Sequence, residues 1–149
     1  MIEIRALHCG LRGVTVAGYF DSNHLAEAAD LVMKREAAGI YLTLNPVRTS
    51  LLARAANRFV ERPNSTTTDS DIDRRTWLFI DFDPRRPSGI SATEEEKHHA
   101  LQRAEECRQI FADTGWVEPL VCDSGNGVHL NYPIDLPNDS ASRVLLNAC

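Results

Sequence analysis

The pattern of apolar and polar positions divides the first half of the chain into alternating strands and helices. β-Branched and aromatic residues predict a strand over 14–20, VTVAGYF, and a second over 39–46, GIYLTLNP. Between them, N-cap candidates at 21–23 precede a helix whose predicted inner face is Leu25, Ala29, Val32 and Met33. A helical period also predicts a helix over 51–60, LLARAANRFV, and residues 63–73 form a polar loop.

The second half contains one long apolar run, one long helix and a hairpin. RTWLFIDFD, residues 75–83, is nearly continuously apolar, which predicts a strand covered on both faces. Residues 91–115 predict a helix with a Ser91–Glu94 capping box and an inner stripe of Ala100, Ala104, Cys107 and Phe111. SGNG between two apolar segments predicts a hairpin over 119–137, followed by a helix capped at 138–140.

This order of elements predicts a mixed α/β or α+β domain with helices packed on a sheet. We expect one domain over 1–149, with an N-terminal α/β part over about 1–75 and a second part over 76–149. The last predicted helix has run barely two turns at residue 149. We therefore expect the chain to be a piece of a longer domain.

Composition and charge narrow the class of protein. The chain is 43% hydrophobic and 25% charged, which is typical of a globular domain. No apolar run approaches the roughly 20 residues of a membrane span, and MIEIRALHCG lacks the layout of a signal peptide, so we expect a cytoplasmic location and no membrane. The net charge is −5, and residues 76–149 hold twelve acids against six Lys and Arg. An acidic half can be a solvated surface or a metal-binding one.

Two carboxylates, Asp81 and Asp83, end the apolar run one residue apart. On a strand, residues i and i+2 share a face, and two like charges held this close resist ionising together unless a divalent cation neutralises both. Two such cations about 4 Å apart can align an attacking oxygen with a phosphorus. Four hypotheses stay open: solvated surface carboxylates, nucleotidyl transfer, a haloacid-dehalogenase-type phosphatase with Asp81 as nucleophile, and a glycosyltransferase.

A second motif, SGNGVH, lies in the predicted hairpin. Glycines at 125 and 127, on either side of Asn126, allow a tight turn whose N–H groups, with the Ser124 hydroxyl, can cradle phosphate oxygens. His129 follows on a strand, where its imidazole can donate to a triphosphate. The same residues also suit a plain hairpin turn and a core histidine.

Together, FIDFD and SGNGVHL resemble the two motifs of the archaeo-eukaryotic primase superfamily. In that family, an apolar strand ends in DxD or DxE, and a small residue precedes a histidine on the following hairpin. GYFDSNHLAEAADLV, GIYLTLNPV, LLARAANRF and FIDFDPRRPSGISATEEE are similar to the N-terminal module of bacterial and phage primase-polymerases, which is often fused to a helicase. The resemblance covers most of residues 14–137.

The resemblance implies an RRM-like sheet beside an N-terminal α/β unit and a DNA primase or polymerase activity. Asp81 and Asp83 would bind Mg²⁺ or Mn²⁺, and His129, Ser124 and the turn backbone would bind the triphosphate of an incoming NTP or dNTP. The 3′-hydroxyl would attack the α-phosphate on a single-stranded DNA template. The family's third carboxylate has no plausible counterpart after His129, because Asp135 and Asp139 flank the hairpin exit and the helix cap. A catalytically incomplete nucleotide- or nucleic-acid-binding fragment is therefore the alternative.

Arginines mark where nucleic acid would contact the chain. Arg54, Arg58 and Arg62 recur every four residues, which predicts one helical face, and Arg48 lies just before them. A solvated outer face is the other interpretation of this spacing. Arg85 and Arg86 directly follow the DxD strand and are candidates for contacts with nucleotide phosphates or template.

Overall fold

The chain is an α+β protein with antiparallel sheets, and its computed structural model describes residues 1–87 and 89–148. The strands are β1 Ile2–Cys9, β2 Val14–Phe20, β3 Gly39–Leu42, β4 Val60–Glu61, β5 Arg74–Phe82, β6 Leu120–Asp123 and β7 Val128–Pro137. The α-helices are α1 Leu25–Met33, α2 Leu52–Ala55, α3 Glu94–Asp113 and α4 Ser140–Leu146, with 3-10 helices at Thr49–Leu51 and Asp69–Asp71. The end of the predicted C-terminal helix, Cys149, lies outside the described residues.

The chain forms two compact units. Unit 1 contains Met1–Arg75 and the C-terminal segment from Leu136 onward, and unit 2 contains Thr76–Asp135. A four-stranded sheet of order β3-β1-β2-β4 lies in unit 1. A three-stranded sheet of order β5-β7-β6 lies mainly in unit 2. None of the helices within 1–87 and 89–148 has the length and apolar composition required to cross a membrane.

The core of unit 1 forms around β2, whose strand prediction over 14–20 is confirmed. Five consecutive residues of β2, from Val16 to Phe20, are buried, because both faces of the strand are covered. On one face Val16 and Phe20 pack with α1, and on the other Tyr19 packs with Leu51. The neighbouring strand β1 was not predicted from the sequence.

The α1 helix forms where it was predicted, with a different cap and a shifted inner face. Its N-cap residue is His24, which makes no side-chain capping hydrogen bond. Ala28 and Val32 are buried, whereas the predicted inner residues Ala29 and Met33 are exposed. The predicted face was wrong at Ala29 and Met33, because each follows a buried residue by one position and so lies about 100° around the helix from it.

The helix predicted over 51–60 is wrong beyond Ala55, where α2 ends. Asn57 has a backbone φ of +48°, and its N–H donates to the Tyr19 carbonyl oxygen at 2.8 Å. Its side-chain amide donates to Asp21 Oδ2 at 2.9 Å. Hydrogen bonds from His24 and Asn57 lower the pKa of Asp21 to about 2. These tertiary contacts hold the chain in a left-handed turn, which outweighs the local helical pattern.

Unit 2 contains the long helix α3, as predicted. The capping box is Thr93 with Glu96, not Ser91 with Glu94: the Glu96 N–H donates to Thr93 Oγ1 at 3.2 Å, and the Thr93 N–H donates to Glu96 Oε2 at 2.8 Å. The predicted inner stripe is confirmed, since Ala100 and Ala104 are buried and the ring of Phe111 stacks on that of Tyr132.

The strand β5 forms over the predicted apolar run, but it is not covered on both faces. Leu78 is buried, whereas Phe79 is 45% exposed and Asp81 is also exposed. The Phe79 ring contacts His129. On β7, successive side chains point to opposite faces, so His129 and Tyr132, which are three residues apart, lie on opposite faces. Since Tyr132 stacks on α3, Phe79 and Asp81 lie on the sheet face away from α3.

A buried carboxylate joins β1 to the loop before β5. Glu3 is 1% exposed, and its Oε2 atom accepts hydrogen bonds from Arg5 Nη2 at 2.7 Å and from the Thr67 N–H at 3.0 Å. Its other oxygen, Oε1, is buried without a hydrogen-bond partner. Arg5 therefore provides the positive charge in contact with this carboxylate.

We predict that Arg5→Ala destabilises unit 1 by about 3 kcal/mol, because it leaves the Glu3 carboxylate buried without a cation. Urea unfolding followed by circular dichroism measures the free energy of unfolding. Arg12→Ala, in the exposed turn after β1, is the control and should change it by less than about 0.5 kcal/mol. Adding Glu3→Gln to Arg5→Ala should recover part of the loss. Equal stability of the Arg5→Ala and Arg12→Ala variants would contradict the prediction.

Candidate functional site

The candidate site lies in unit 2, where the end of β5 meets the hairpin of β6 and β7. Asp81 Oδ1 lies 3.3 Å from His129 Nε2. Asp83 Oδ1 lies 3.0 Å from the position that a Cβ atom on Gly127 would occupy. Asp83 lies two residues after Asp81, and its neighbour Gly127 lies two residues before His129. This opposite direction of the two sequences is what neighbouring antiparallel strands show. The two sequence motifs, FIDFD and SGNGVH, therefore form one site.

Gly127 allows this approach because it has no side chain. It is buried, and a Cβ atom at this position would overlap the carbonyl oxygen of Phe82. The backbone of the hairpin turn therefore lies directly against the end of β5. This contact fixes the distance between the turn and the two aspartates.

The hairpin turn satisfies several of its own backbone groups. The Gly127 N–H donates to Ser124 Oγ at 2.9 Å, and the Ser124 N–H donates to the Gly127 carbonyl oxygen at 3.0 Å. The Gly125 N–H donates to Asp123 Oδ1 at 2.6 Å. We predicted that these N–H groups and the Ser124 hydroxyl cradle phosphate. In this conformation the Gly125 and Gly127 N–H groups donate within the hairpin, so they can bind phosphate only if those bonds exchange, whereas the Ser124 hydroxyl accepts a bond and keeps its own proton to donate.

Asn126 connects the hairpin turn to the segment before α3. Its side-chain oxygen Oδ1 accepts a hydrogen bond from the Ala92 N–H at 3.0 Å. Asn126 therefore holds the turn through a contact separate from that of Gly127.

The loop after β5 places its two arginines differently. Arg86 Nη2 lies 3.3 Å from Asp83 Oδ2, and Arg86 Nη1 donates to the Ile90 carbonyl oxygen at 2.9 Å. Arg85, by contrast, lines a cavity of about 310 Å³ beside Asp83, together with the α3 residues Glu96, His99, Ala100 and Arg103. Arg86 is thus fixed to the loop and to Asp83, whereas Arg85 lies beside an open space next to the same carboxylate.

Phe79 is a site residue that we did not predict. Its ring contacts His129 edge-on, with the ring centroids 4.7 Å apart, and nearly half of its surface is exposed. The signal was present in the sequence, because Phe79 precedes Asp81 by two positions and so shares its strand face. An exposed aromatic ring beside a histidine and a carboxylate can stack on a planar ligand.

The two aspartates have the chemistry of a divalent-cation site with few protein ligands. Their side chains are 45% and 46% exposed and offer carboxylate oxygens, the ligands that Mg²⁺ prefers. Mg²⁺ is commonly held by one or two carboxylates together with water and substrate phosphates. In the part of the chain that the structure describes, no three His, Cys, Asp or Glu side chains are grouped closely enough to hold a metal ion. Among the described residues, Asp81 and Asp83 could therefore supply two carboxylate ligands to such a cation.

The four predicted arginines of unit 1 do not share a helical face. Arg54 belongs to α2, but the helix ends at Ala55, so Arg58 and Arg62 lie beyond it. Arg48 precedes the 3-10 helix at residue 49. The prediction of a single arginine face is wrong because the segment after α2 turns at residue 57 instead of continuing as a helix.

Comparisons with protein-family models, with curated proteins and with solved structures found no match to this chain. Its function must therefore be inferred from the geometry at the ends of β5 and β7 and from the two sequence motifs that meet there.

We predict that Gly127→Ala destabilises unit 2 by about 2 kcal/mol, because the added methyl group overlaps the Phe82 carbonyl oxygen. The matched control is Gly125→Ala, where the new Cβ would meet no atom within 4 Å. There the φ of +84° alone should cost about 1 kcal/mol. Both tryptophans of the chain, Trp77 and Trp116, lie in unit 2, so tryptophan fluorescence during urea unfolding measures this difference. A larger loss of stability for Gly125→Ala than for Gly127→Ala would contradict the close approach of residue 127 to the Phe82 carbonyl oxygen.

Proposed function

We propose that this chain is a nucleotidyltransferase domain of the primase-polymerase type, related to the archaeo-eukaryotic primase superfamily. It would add NTP or dNTP to a 3′-hydroxyl on a single-stranded DNA template. The observation that carries the proposal is the 3.3 Å contact between Asp81 and His129, which joins the two motifs on one sheet face. Neither motif alone would favour this activity over a surface turn or a solvated strand end.

The architecture of unit 2 favours the same proposal. Its antiparallel β5-β7-β6 sheet is covered by α3 on one face and carries Phe79, Asp81 and His129 on the other. This arrangement is compatible with an RRM-like catalytic sheet, which needs a packed face for stability and an open face for substrate. Unit 1 would then correspond to the N-terminal α/β unit of such enzymes.

Asp81 and Asp83 would hold the divalent cation, Mg²⁺ or Mn²⁺. When bound, such a cation neutralises charge on the triphosphate and helps to align the 3′-hydroxyl with the α-phosphate. The aspartates of this chain contribute oxygen ligands at the open end of β5, where a triphosphate can complete the coordination. Arg86 neutralises part of the charge on Asp83 and keeps its carboxylate beside the hairpin turn.

His129 would bind a phosphate oxygen of the nucleotide. Its Nε2 atom faces Asp81, so the carboxylate orients the imidazole and favours a proton on that nitrogen. The edge contact with Phe79 restricts the ring further. To donate to a phosphate oxygen, the Nε2–H would have to leave Asp81, and it would do so from a ring that is already oriented.

Phe79 and Arg85 would complete the nucleotide site. The exposed Phe79 ring offers a surface on which the base can stack, and stacking on an aromatic side chain accepts any base. Arg85 lines the cavity beside Asp83 and can pair with phosphate oxygens through its planar guanidinium group. The template can select the nucleotide by base pairing while Phe79 stacks on whichever base is bound, so both interactions can occur in one site.

The second candidate function is a binding module that holds nucleotide without turnover. The group formed by Asp81 and Asp83 has no third acidic, histidine or cysteine ligand among residues 1–87 and 89–148. Two carboxylates hold a second cation weakly, which would slow phosphoryl chemistry more than nucleotide binding. A DxD phosphatase is the third alternative, and Pro84-Arg85 does not continue that motif.

We predict that Asp81→Asn and Asp83→Asn each lower nucleotide incorporation at least about 100-fold, because each removes a cation ligand. Labelled dNTPs, Mn²⁺ and a primed single-stranded template provide the assay, and Asp30→Asn in the exposed part of α1 is the control. If the unaltered chain binds nucleotide in calorimetry but forms no product, the second candidate function, a nucleotide-binding module, is favoured. A covalent phosphate on Asp81 would favour the phosphatase instead.

We predict that Phe79→Leu weakens nucleotide binding about 10-fold, because it keeps the apolar bulk beside His129 but removes the aromatic face. Phe79→Tyr should bind nearly as well as the unaltered chain. Isothermal titration with dATP and Mn²⁺ measures both dissociation constants. Equal binding by the leucine and tyrosine variants would show that residue 79 packs on His129 without contacting the base.

A further inference from the structure

Unit 1 contains two adjoining cavities that are rich in arginine. They have volumes of about 330 and 440 Å³ and share a wall formed by residues 62–65. Arg62 lines both cavities, Arg54 lines the first, and Arg5 lines the second. We call these two cavities the arginine pocket. Three strands, α2 and the loop after β4 thus bring together arginines that are far apart in the sequence.

The three arginines of the pocket differ in their partners. Arg5 is paired with the buried carboxylate of Glu3 at 2.7 Å, and Arg54 lies 3.7 Å from Asp71. Within the described residues, the Arg62 guanidinium group has no ion-pair or hydrogen-bond partner. Three cations and two carboxylates leave the pocket with a net charge of +1. The excess charge resides on Arg62, the arginine common to both cavities.

The backbone of Arg62 is held in an unfavourable conformation. Its φ of +50° is one that glycine or asparagine adopts more readily than arginine. The Arg62 N–H donates to the Thr15 carbonyl oxygen at 2.8 Å, which fixes the residue at the end of β4. A strained backbone that keeps an unpaired cation at a cavity is a common property of ligand-binding sites.

The rest of the lining provides neutral donors and a small apolar wall. Arg54 Nη1 donates to the buried Tyr19 hydroxyl at 3.3 Å, which orients its guanidinium group toward the pocket. The side chains of Asn64 and Ser65 line both cavities and make no hydrogen bond to another described residue. Arginine with amide and hydroxyl donors is the combination that recognises phosphate oxygens.

We propose that the arginine pocket binds a backbone phosphate of single-stranded nucleic acid, with Arg62 as its principal contact. A net charge of +1 matches a phosphodiester, which carries one negative charge, better than a terminal phosphate, which carries nearly two. The inference rests on the proposed function only for the choice of nucleic acid as ligand. It replaces the predicted helical arginine face with a pocket that excludes Arg48 and Arg58 and includes Arg5.

The test is the salt dependence of oligonucleotide binding. Fluorescence anisotropy of a labelled oligothymidylate is measured with the full chain between about 50 and 200 mM NaCl, in EDTA so that no cation binds at Asp81 and Asp83. Arg62→Gln should weaken binding several-fold at low salt and reduce the slope of log K against log salt by about 0.7. Oligodeoxyadenylate should lose the same factor, because phosphates carry no base information.

Two further variants separate binding from folding. Arg62→Gly removes the cation and relieves the positive φ, so its thermal midpoint should be no lower than that of the unaltered chain while its binding is weakened like that of Arg62→Gln. Arg12→Gln, an exposed arginine of unit 1 outside the pocket, should bind normally. Unaltered affinity and salt slope in both Arg62 variants would overturn the proposal.

The remaining outcomes are equally decisive. Failure of the unaltered chain to bind either oligonucleotide at 50 mM salt would overturn the proposal. Competition by dTMP or inorganic phosphate at the concentration of oligonucleotide phosphates would assign the pocket to a terminal phosphate instead. Absence of incorporation by the unaltered chain with Mn²⁺, together with oligonucleotide binding that depends on Arg62, would count against the proposed reaction and not against the pocket.

Discussion

The candidate site depends on the close approach of the Gly127 backbone to the carbonyl oxygen of Phe82. Any larger residue at 127 would separate the hairpin turn from the end of β5. The Asp81–His129 contact and the position of Asp83 beside the turn both require this approach. The arrangement of Asp81, Asp83 and His129 therefore depends on a steric constraint: residue 127 must have no side chain.

Elements specified by local chemistry could be predicted from the sequence, and those specified by distant contacts could not. The strand over 14–20, the helix α3 and the β6–β7 hairpin follow from periodicity and a turn, which are local, although the capping box of α3 lies two residues later than predicted. The segment after α2 has an equally good helical period, but Asn57 bonds to Tyr19 and Asp21 and ends the helix. Those contacts bridge more than thirty residues of sequence and leave no local signal.

The same distinction holds for the candidate site. The two motifs indicated that Asp81 and His129 belong together only through their resemblance to the primase superfamily, since no local pattern links two residues so far apart in the sequence. Exposure of Phe79 could not be predicted from an apolar run, since it depends on whether a second layer covers that face of the sheet. The choice between a phosphate cradle and a plain hairpin turn stayed open for a related reason: both use the same Ser-Gly residues, and only the observed partners of Ser124 and Gly127 distinguish them.

The division of the chain has a consequence for how it folds during synthesis. Unit 2 is continuous from Thr76 to Asp135, whereas unit 1 also includes the segment from Leu136 onward. In that segment, the Asn138 side chain donates to the carbonyl oxygens of Asp69 and Ile72, at 2.7 and 2.9 Å. These bonds cannot form until residue 138 has left the ribosome. Asp69 and Ile72 are translated more than sixty residues before the side chain that bonds to them, so unit 1 completes these contacts only after all of unit 2 has been synthesised.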